Sequence, residues 1–209
     1  MRMSTRSCPI QARSAVVAGR GEHTEREGAG ATAEEHNNMK DIAAVAEFMR
    51  TRSLLLVTAE SCTAGLIAAT LADVPGAGQS LDCAFVVYSP YAKEHCLRVK
   101  PETIERYSLT SEEVAREMAV GALGRSRANV AVSNTGVADD TDKNVPPGTQ
   151  CFAWAFSLDE AAGGEPVVFS ETRRFAGNRN EIREASARYA LQRLPDLYEE
   201  ARGQSASST

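Results

Sequence analysis

Four short segments of the chain carry side chains whose types and order could do chemistry. Ala59-Glu60-Ser61-Cys62-Thr63-Ala64-Gly65 follows an apolar run and opens a helical pattern. At such a strand-to-helix turn, the first backbone N–H groups and the Ser61 and Thr63 hydroxyls favour an anion. The plain alternative is that Ser61 or Thr63 merely caps the helix. Tyr88-Ser89-Pro90-Tyr91-Ala92-Lys93 also passes from a strand into a helix, with Pro90 at the favoured first position. Tyr88 and Lys93 could face one site, and a lysine that loses its proton easily can serve as general base for a hydroxyl nucleophile. A surface lysine and a core-edge tyrosine are the competing reading.

Ser133 to Asp140 again follows a strand. Asp140, Asp142 and Asn144 begin like a calcium loop, but Val145 stands where its glycine belongs and Cys151 where its distal glutamate belongs. That pattern argues against a metal. Phe175-Ala176-Gly177-Asn178-Arg179 sets an arginine at a helix start, where a guanidinium either grips a phosphate or carboxylate with two bonds or is simply solvated. His23 and His36 lie in the N-terminal stretch and His95 stands alone, so a Ser–His–Asp triad lacks support.

These segments need strands and helices to hold them. Helical spacing begins after Met39 with Ile42, Val45, Phe48 and Met49. Leu54–Val57 is a continuous apolar run, as in a strand buried on both faces. The spacing predicts a helix over 63–73, stopped by Val74-Pro75-Gly76. Leu81–Tyr88 reads as a second strand. Further helices start at Ser89-Pro90, at Pro101-Glu102, and near Thr110, which matches a capping box with Glu113. Asn129–Val132 is strand-like; Phe152, Trp154 and Phe156 alternate as in a half-buried strand, with Val167–Phe169 pairing nearby. A last helix follows Gly177 and runs to about Arg193. Strands alternating with helices predict an α/β layered sandwich, its mixed, partly parallel sheet flanked by helices. In such folds ligands bind beyond the carboxyl ends of parallel strands.

Composition narrows the function. The 209 residues suit one domain and a tail. Residues 1–38 hold few large apolar side chains and read as a disordered tail, without the apolar stretch of a secretory signal; Met39 marks an alternative start. The domain spans 39–200, and 201–209 read as a polar tail. No apolar run is long enough to span a bilayer. A formal charge of −5 without a basic cluster disfavours nucleic acid and lipid surfaces. The five cysteines are odd in number and contain no CxxC, which speaks against a disulfide framework or zinc site and fits a reducing, cytoplasmic compartment.

Taken together, AESCTAGL, DVPG, VVYSPYAK, SNTGVA, PPGTQCFAWAF and FAGNR resemble the C-terminal domain of CinA proteins, also found alone as PncC-type nicotinamide mononucleotide (NMN) deamidases. The resemblance covers about residues 42–195. It implies a cytoplasmic, often homodimeric α/β domain that needs no metal or cofactor. It implies hydrolysis of a small nucleotide-like substrate, NMN, to nicotinic acid mononucleotide and ammonia. It also implies that Ser61 and Thr63 line the ligand site, that Tyr88 and Lys93 take part in chemistry, that Thr135 supplies a hydroxyl and Gly136 a backbone N–H, and that Arg179 binds substrate.

Two segments depart from the family pattern. The family's nucleophilic serine follows Pro-Gly and one small residue; here Pro75-Gly76-Ala77-Gly78-Gln79-Ser80 aligns Gly78 with it. Asp139-Asp140 replaces Gly-Pro, and two carboxylates repel an anionic ligand unless they face solvent. Four readings stay open: an amidase in which Ser80 or Ser61 supplies the hydroxyl, a catalytically inactive paralogue binding a pyridine-nucleotide-like ligand in a regulatory role, a hydrolase of another substrate in which Lys93 activates water, and a structural dimer partner with no ligand.

Overall fold

The structure is a computed structural model and describes residues 33–140, 142–158 and 164–206. The expected disordered tail lies outside these residues up to position 32. Its last part belongs to the first helix, which begins at Ala33.

Five strands form one mixed sheet: β1 (Leu56–Glu60), β2 (Leu81–Val86), β3 (Val130–Gly136), β4 (Thr149–Phe156) and β5 (Val167–Arg174). Their order is β2-β1-β3-β4-β5. β1 runs parallel to both neighbours, and β4 and β5 are antiparallel additions. The expected α/β layered sandwich with a partly parallel sheet is the observed fold.

Alternation along β1 explains the two layers. Leu56 belongs to a core built with α1 (Ala33–Thr51), α2 (Leu66–Ala72), α6 (Arg179–Gln192) and α7 (Leu194–Ala206). Val57 and Ala59 point the other way, into a core with α3 (Pro90–Leu97) and α5 (Glu112–Leu123), beside which lies α4 (Pro101–Tyr107). Successive strand side chains face opposite sides, so Thr58 and Glu60 belong to the α2 layer and Ser61 to the α3 layer.

Several local expectations shift. β4 is buried on both faces, because Cys151, Ala153 and Ala155 lie under α5 while Phe152, Trp154 and Phe156 enter the other core. The α5 cap is Ser111, one residue later than expected, its hydroxyl accepting from Val114 N. α2 begins at Leu66 instead of Thr63, because Ala64 and Gly65 are left-handed, with φ of 50° and 96°. For Ala64 this costs about 1–2 kcal/mol. The stretch 201–209, expected as a polar tail, is helical through Ala206, and Ala201 is fully buried with Leu194 and Leu197.

Candidate active site

The parallel strands gather the site at one end of the sheet. Ser61 follows β1, Tyr88 follows β2, and Thr135 and Gly136 end β3. β4 begins at this end, since Gly136 pairs with Gln150, and β5 finishes there before the chain enters Phe175–Arg179.

At its centre, Lys93 Nζ donates to Ser61 Oγ at 2.8 Å, to Val87 O at 2.9 Å and to Tyr88 O at 3.2 Å. Lys93 is 1% exposed and Ser61 is 7% exposed. The lysine sits on the first turn of α3, held in register by Ser89, which caps the helix by accepting from Ala92 N at 3.1 Å. With no carboxylate as partner here, burial disfavours the ammonium and pushes the lysine down to about 8. At pH 7 roughly a tenth of such lysines are neutral, against about one in several thousand for an exposed one. A neutral amine has two N–H groups, which the two carbonyls accept, and one lone pair, which faces the Ser61 hydroxyl.

The turn carrying Ser61 is fastened from three sides. Glu60, fully buried, caps α2: its carboxylate accepts from Gly65 N (2.8 Å), Ile67 N (3.0 Å) and Ala68 N (3.0 Å), and from the Thr58 hydroxyl (2.9 Å). The expected anion seat at this helix start is therefore filled by the chain itself. Asn134 holds the turn from β3, its backbone oxygen accepting from Ser61 N (2.9 Å) and its Oδ1 from Thr63 N (3.1 Å). Gln150 Oε1 accepts from Asn134 Nδ2 (3.0 Å). Arg183, from α6, donates to Cys62 O (2.9 Å) and Thr63 O (3.2 Å).

Thr63 Oγ1 is buried and has no hydrogen-bond partner, the one such side-chain atom among the described residues. An orphaned buried hydroxyl costs about 1–3 kcal/mol. Cys62 is no rival nucleophile. It packs with Ala138 and Ile182, and burial pushes its thiol up.

The other expected residues divide. Thr135 Oγ1 donates to Leu109 O at 2.8 Å, so this hydroxyl's proton is engaged. Gly136 is required by close packing: a Cβ there would lie 2.5 Å from Thr149 O and 2.6 Å from the Gln150 side chain. Tyr88 is exposed, and its hydroxyl accepts from Arg179 Nη2 at 3.1 Å. Arg179 also pairs with Asp139.

Ser80 is not with Lys93. It precedes β2, and its carbonyl accepts from Leu56 N at the start of β1 (2.8 Å). Lys93 lies past the end of that strand. At about 3.3 Å per residue, β1 separates the two by roughly 13–16 Å. Ser80 instead borders a small cavity with Glu47, Arg50 and Pro75. Gly78 occupies the adjoining 3₁₀ turn, Ala77–Gln79, with open space around it. The expectation that Ser80 serves Lys93 is corrected by strand direction. A larger cleft of about 480 Å³, lined by Leu97, Arg116, Glu117 and Val120 among others, also lies away from this site. Glu60, Asn134, Gln150 and Arg183 were not among the expected site residues. Their signal was available in part, since Glu60, Asn134 and Gln150 are the carboxylate and amide side chains in strands otherwise made of apolar, glycine and small hydroxyl residues.

A buried Ser–Lys pair at the carboxyl ends of parallel strands can do nucleophilic chemistry, the serine hydroxyl attacking and the lysine taking its proton. The family profile described as CinA C-terminal domain matches residues 39–198, and the chain belongs to that family. It is 38% identical over 152 residues to the nicotinamide-nucleotide amidohydrolase PncC of Escherichia coli K12, covering 72% of this chain and 88% of that protein. It is 44% identical over 133 residues to a CinA-like protein of Chlorobium phaeobacteroides BS1, covering 63% of this chain and 30% of that protein. The chain thus spans about a third of the longer relatives and most of PncC. Among solved structures, it superposes on a CinA superfamily protein of Escherichia coli with a TM-score of 0.68 at 30% identity, covering 84% of this chain and 99% of that one.

Proposed function

We propose that the protein is an amidohydrolase acting on the carboxamide of a nicotinamide nucleotide, with Ser61 as nucleophile and Lys93 as general base. The observation that carries this reading is the 2.8 Å contact between Lys93 Nζ and Ser61 Oγ in a buried setting. The PncC-named relatives support the substrate class.

Neutral Lys93 takes the Ser61 proton as Oγ adds to the amide carbon. The resulting ammonium returns that proton to the departing nitrogen, which leaves as ammonia. Water then adds to the acyl-serine, Lys93 accepting its proton and handing it back to Ser61. The carboxylate leaves and the enzyme is restored. The unpaired Thr63 hydroxyl offers a donor to the substrate beside this centre. Gly78 has no part, so the missing serine at that position does not remove the nucleophile.

Release of ammonia from NMN by the purified protein, abolished by Ser61→Ala, is the expected result. A protein that releases none overturns the reading. The family resemblance also carries a cytoplasmic location and a homodimer, and light scattering tests the latter.

A further inference from the structure

Resting on that reading, we infer that Asp139 is a specificity-determining residue: its carboxylate competes with the phosphate of the substrate for Arg179 and so weakens the preference of the site for a phosphate-bearing amide. At the rim of the Ser61 centre, the Arg179 guanidinium is the cation that would meet an anionic substrate group. One of its arms is on Asp139 Oδ2 and another on Tyr88 OH.

The helix start that carries Arg179 is filled as well. Asn178 Oδ1 accepts from Asn180 N and Glu181 N, while Glu181 Oε2 accepts from Asn178 N, closing a capping box. A second helix start at the site, that of α2, is filled by Glu60. Glu60 and the Asn178–Glu181 box thus engage several of the N–H groups that at a helix terminus would receive a phosphate.

These occupants differ in how easily they yield. Glu60 is wholly buried. The Asp139–Arg179 pair is partly exposed, at 32% and 47% of the two side chains. Exposed pairs are weak, so a phosphate can part this one. It must then lie beside the displaced aspartate, and like charges at that range repel. An uncharged nucleoside arm meets no such opposition. Asp139 therefore acts on the phosphate end of the substrate and leaves the amide chemistry at Ser61 untouched.

The test compares ammonia release from NMN and from nicotinamide riboside, the same amide without phosphate, in the wild type and in Asp139→Asn. Expected is a wild type that releases ammonia from both compounds. Asp139→Asn should raise kcat/KM for NMN about tenfold, equivalent to ~1.4 kcal/mol, with the riboside changed less than twofold. An NMN-to-riboside ratio unmoved by Asp139→Asn overturns the inference and leaves the amidase reading standing. If neither compound releases ammonia, the amidase reading fails, and calorimetric binding of the two compounds still decides the role of Asp139. Tighter NMN binding by Asp139→Asn, with riboside binding unchanged, supports it; an unchanged ratio of affinities overturns it.

Discussion

Glu60 and Ser61 are neighbours in the chain and serve opposite faces of the sheet. Glu60 reaches into the α2 layer and gathers three backbone N–H groups, whereas Ser61 meets Lys93 of α3. One residue thus anchors the turn and the next presents its hydroxyl, and the two should respond differently to substitution.

Ser61→Ala is expected to lower kcat for ammonia release by at least about a thousandfold, since Ser61 carries the one hydroxyl bonded to Lys93 among the described residues. Ser80→Ala and Gly78→Ser should leave kcat within about twofold, because both positions lie at the far end of β1. Gly78→Ser meets open space and should also fold normally. Steady-state kinetics on the three variants separates the two ends of the sheet.

The pH profile follows from Lys93. With its proton lost near pH 8, kcat/KM is expected to rise with pH up to about that value and then level off. Lys93→Arg, which keeps a charge that cannot be given up, should be inactive at every pH.

Stability has its own signature at Lys93. Its proton is held less tightly in the folded chain than in the unfolded one, where a lysine titrates at about 10.4. Between pH 8 and that value, the unfolded chain binds more protons, so stability rises with pH. Relative to Lys93→Met, the wild type should gain up to about 3 kcal/mol across this window, and gain nothing below pH 7. Urea melts at a series of pH values measure the difference.

Glu60→Ala removes the cap of α2 and leaves buried N–H groups unpaired. A loss on the order of 3 kcal/mol is expected, which for a chain of this size is roughly 6–12 °C in Tm. Circular dichroism melting checks it, and Ser61→Ala should melt close to the wild type.

Gly136→Ala tests the support behind the turn. Its Cβ would collide with Thr149 O and with Gln150, the partner of Asn134. A cost of about 1–3 kcal/mol and a lower kcat are expected together, because Asn134 positions Ser61 and Thr63. A variant that loses stability while keeping full kcat would show that Gln150 does not govern the turn.

Sequence alone determined the class of fold and the segments that meet in the site. Leu54–Val57, the Pro-Gly stop after α2 and the Phe152/Trp154/Phe156 alternation are local patterns, set by burial and by backbone chemistry, and each marks an element found in the structure. The ESCT, YSPYAK, SNTG and FAGNR segments were legible because each sits at a strand end beside a helix start or turn. The pairing within the site was a tertiary matter. Ser61 and Ser80 are both small hydroxyl residues near apolar runs, and no local property tells which one meets Lys93. Parallel pairing decides it, by sending the end of β1 and the end of β2 to the same edge and leaving Ser80 at the other. The Asn178–Glu181 capping box is a local spacing, but the reach of Glu60 over the α2 start and of Asp139 to Arg179 depends on how the chain folds back, which spacing does not encode.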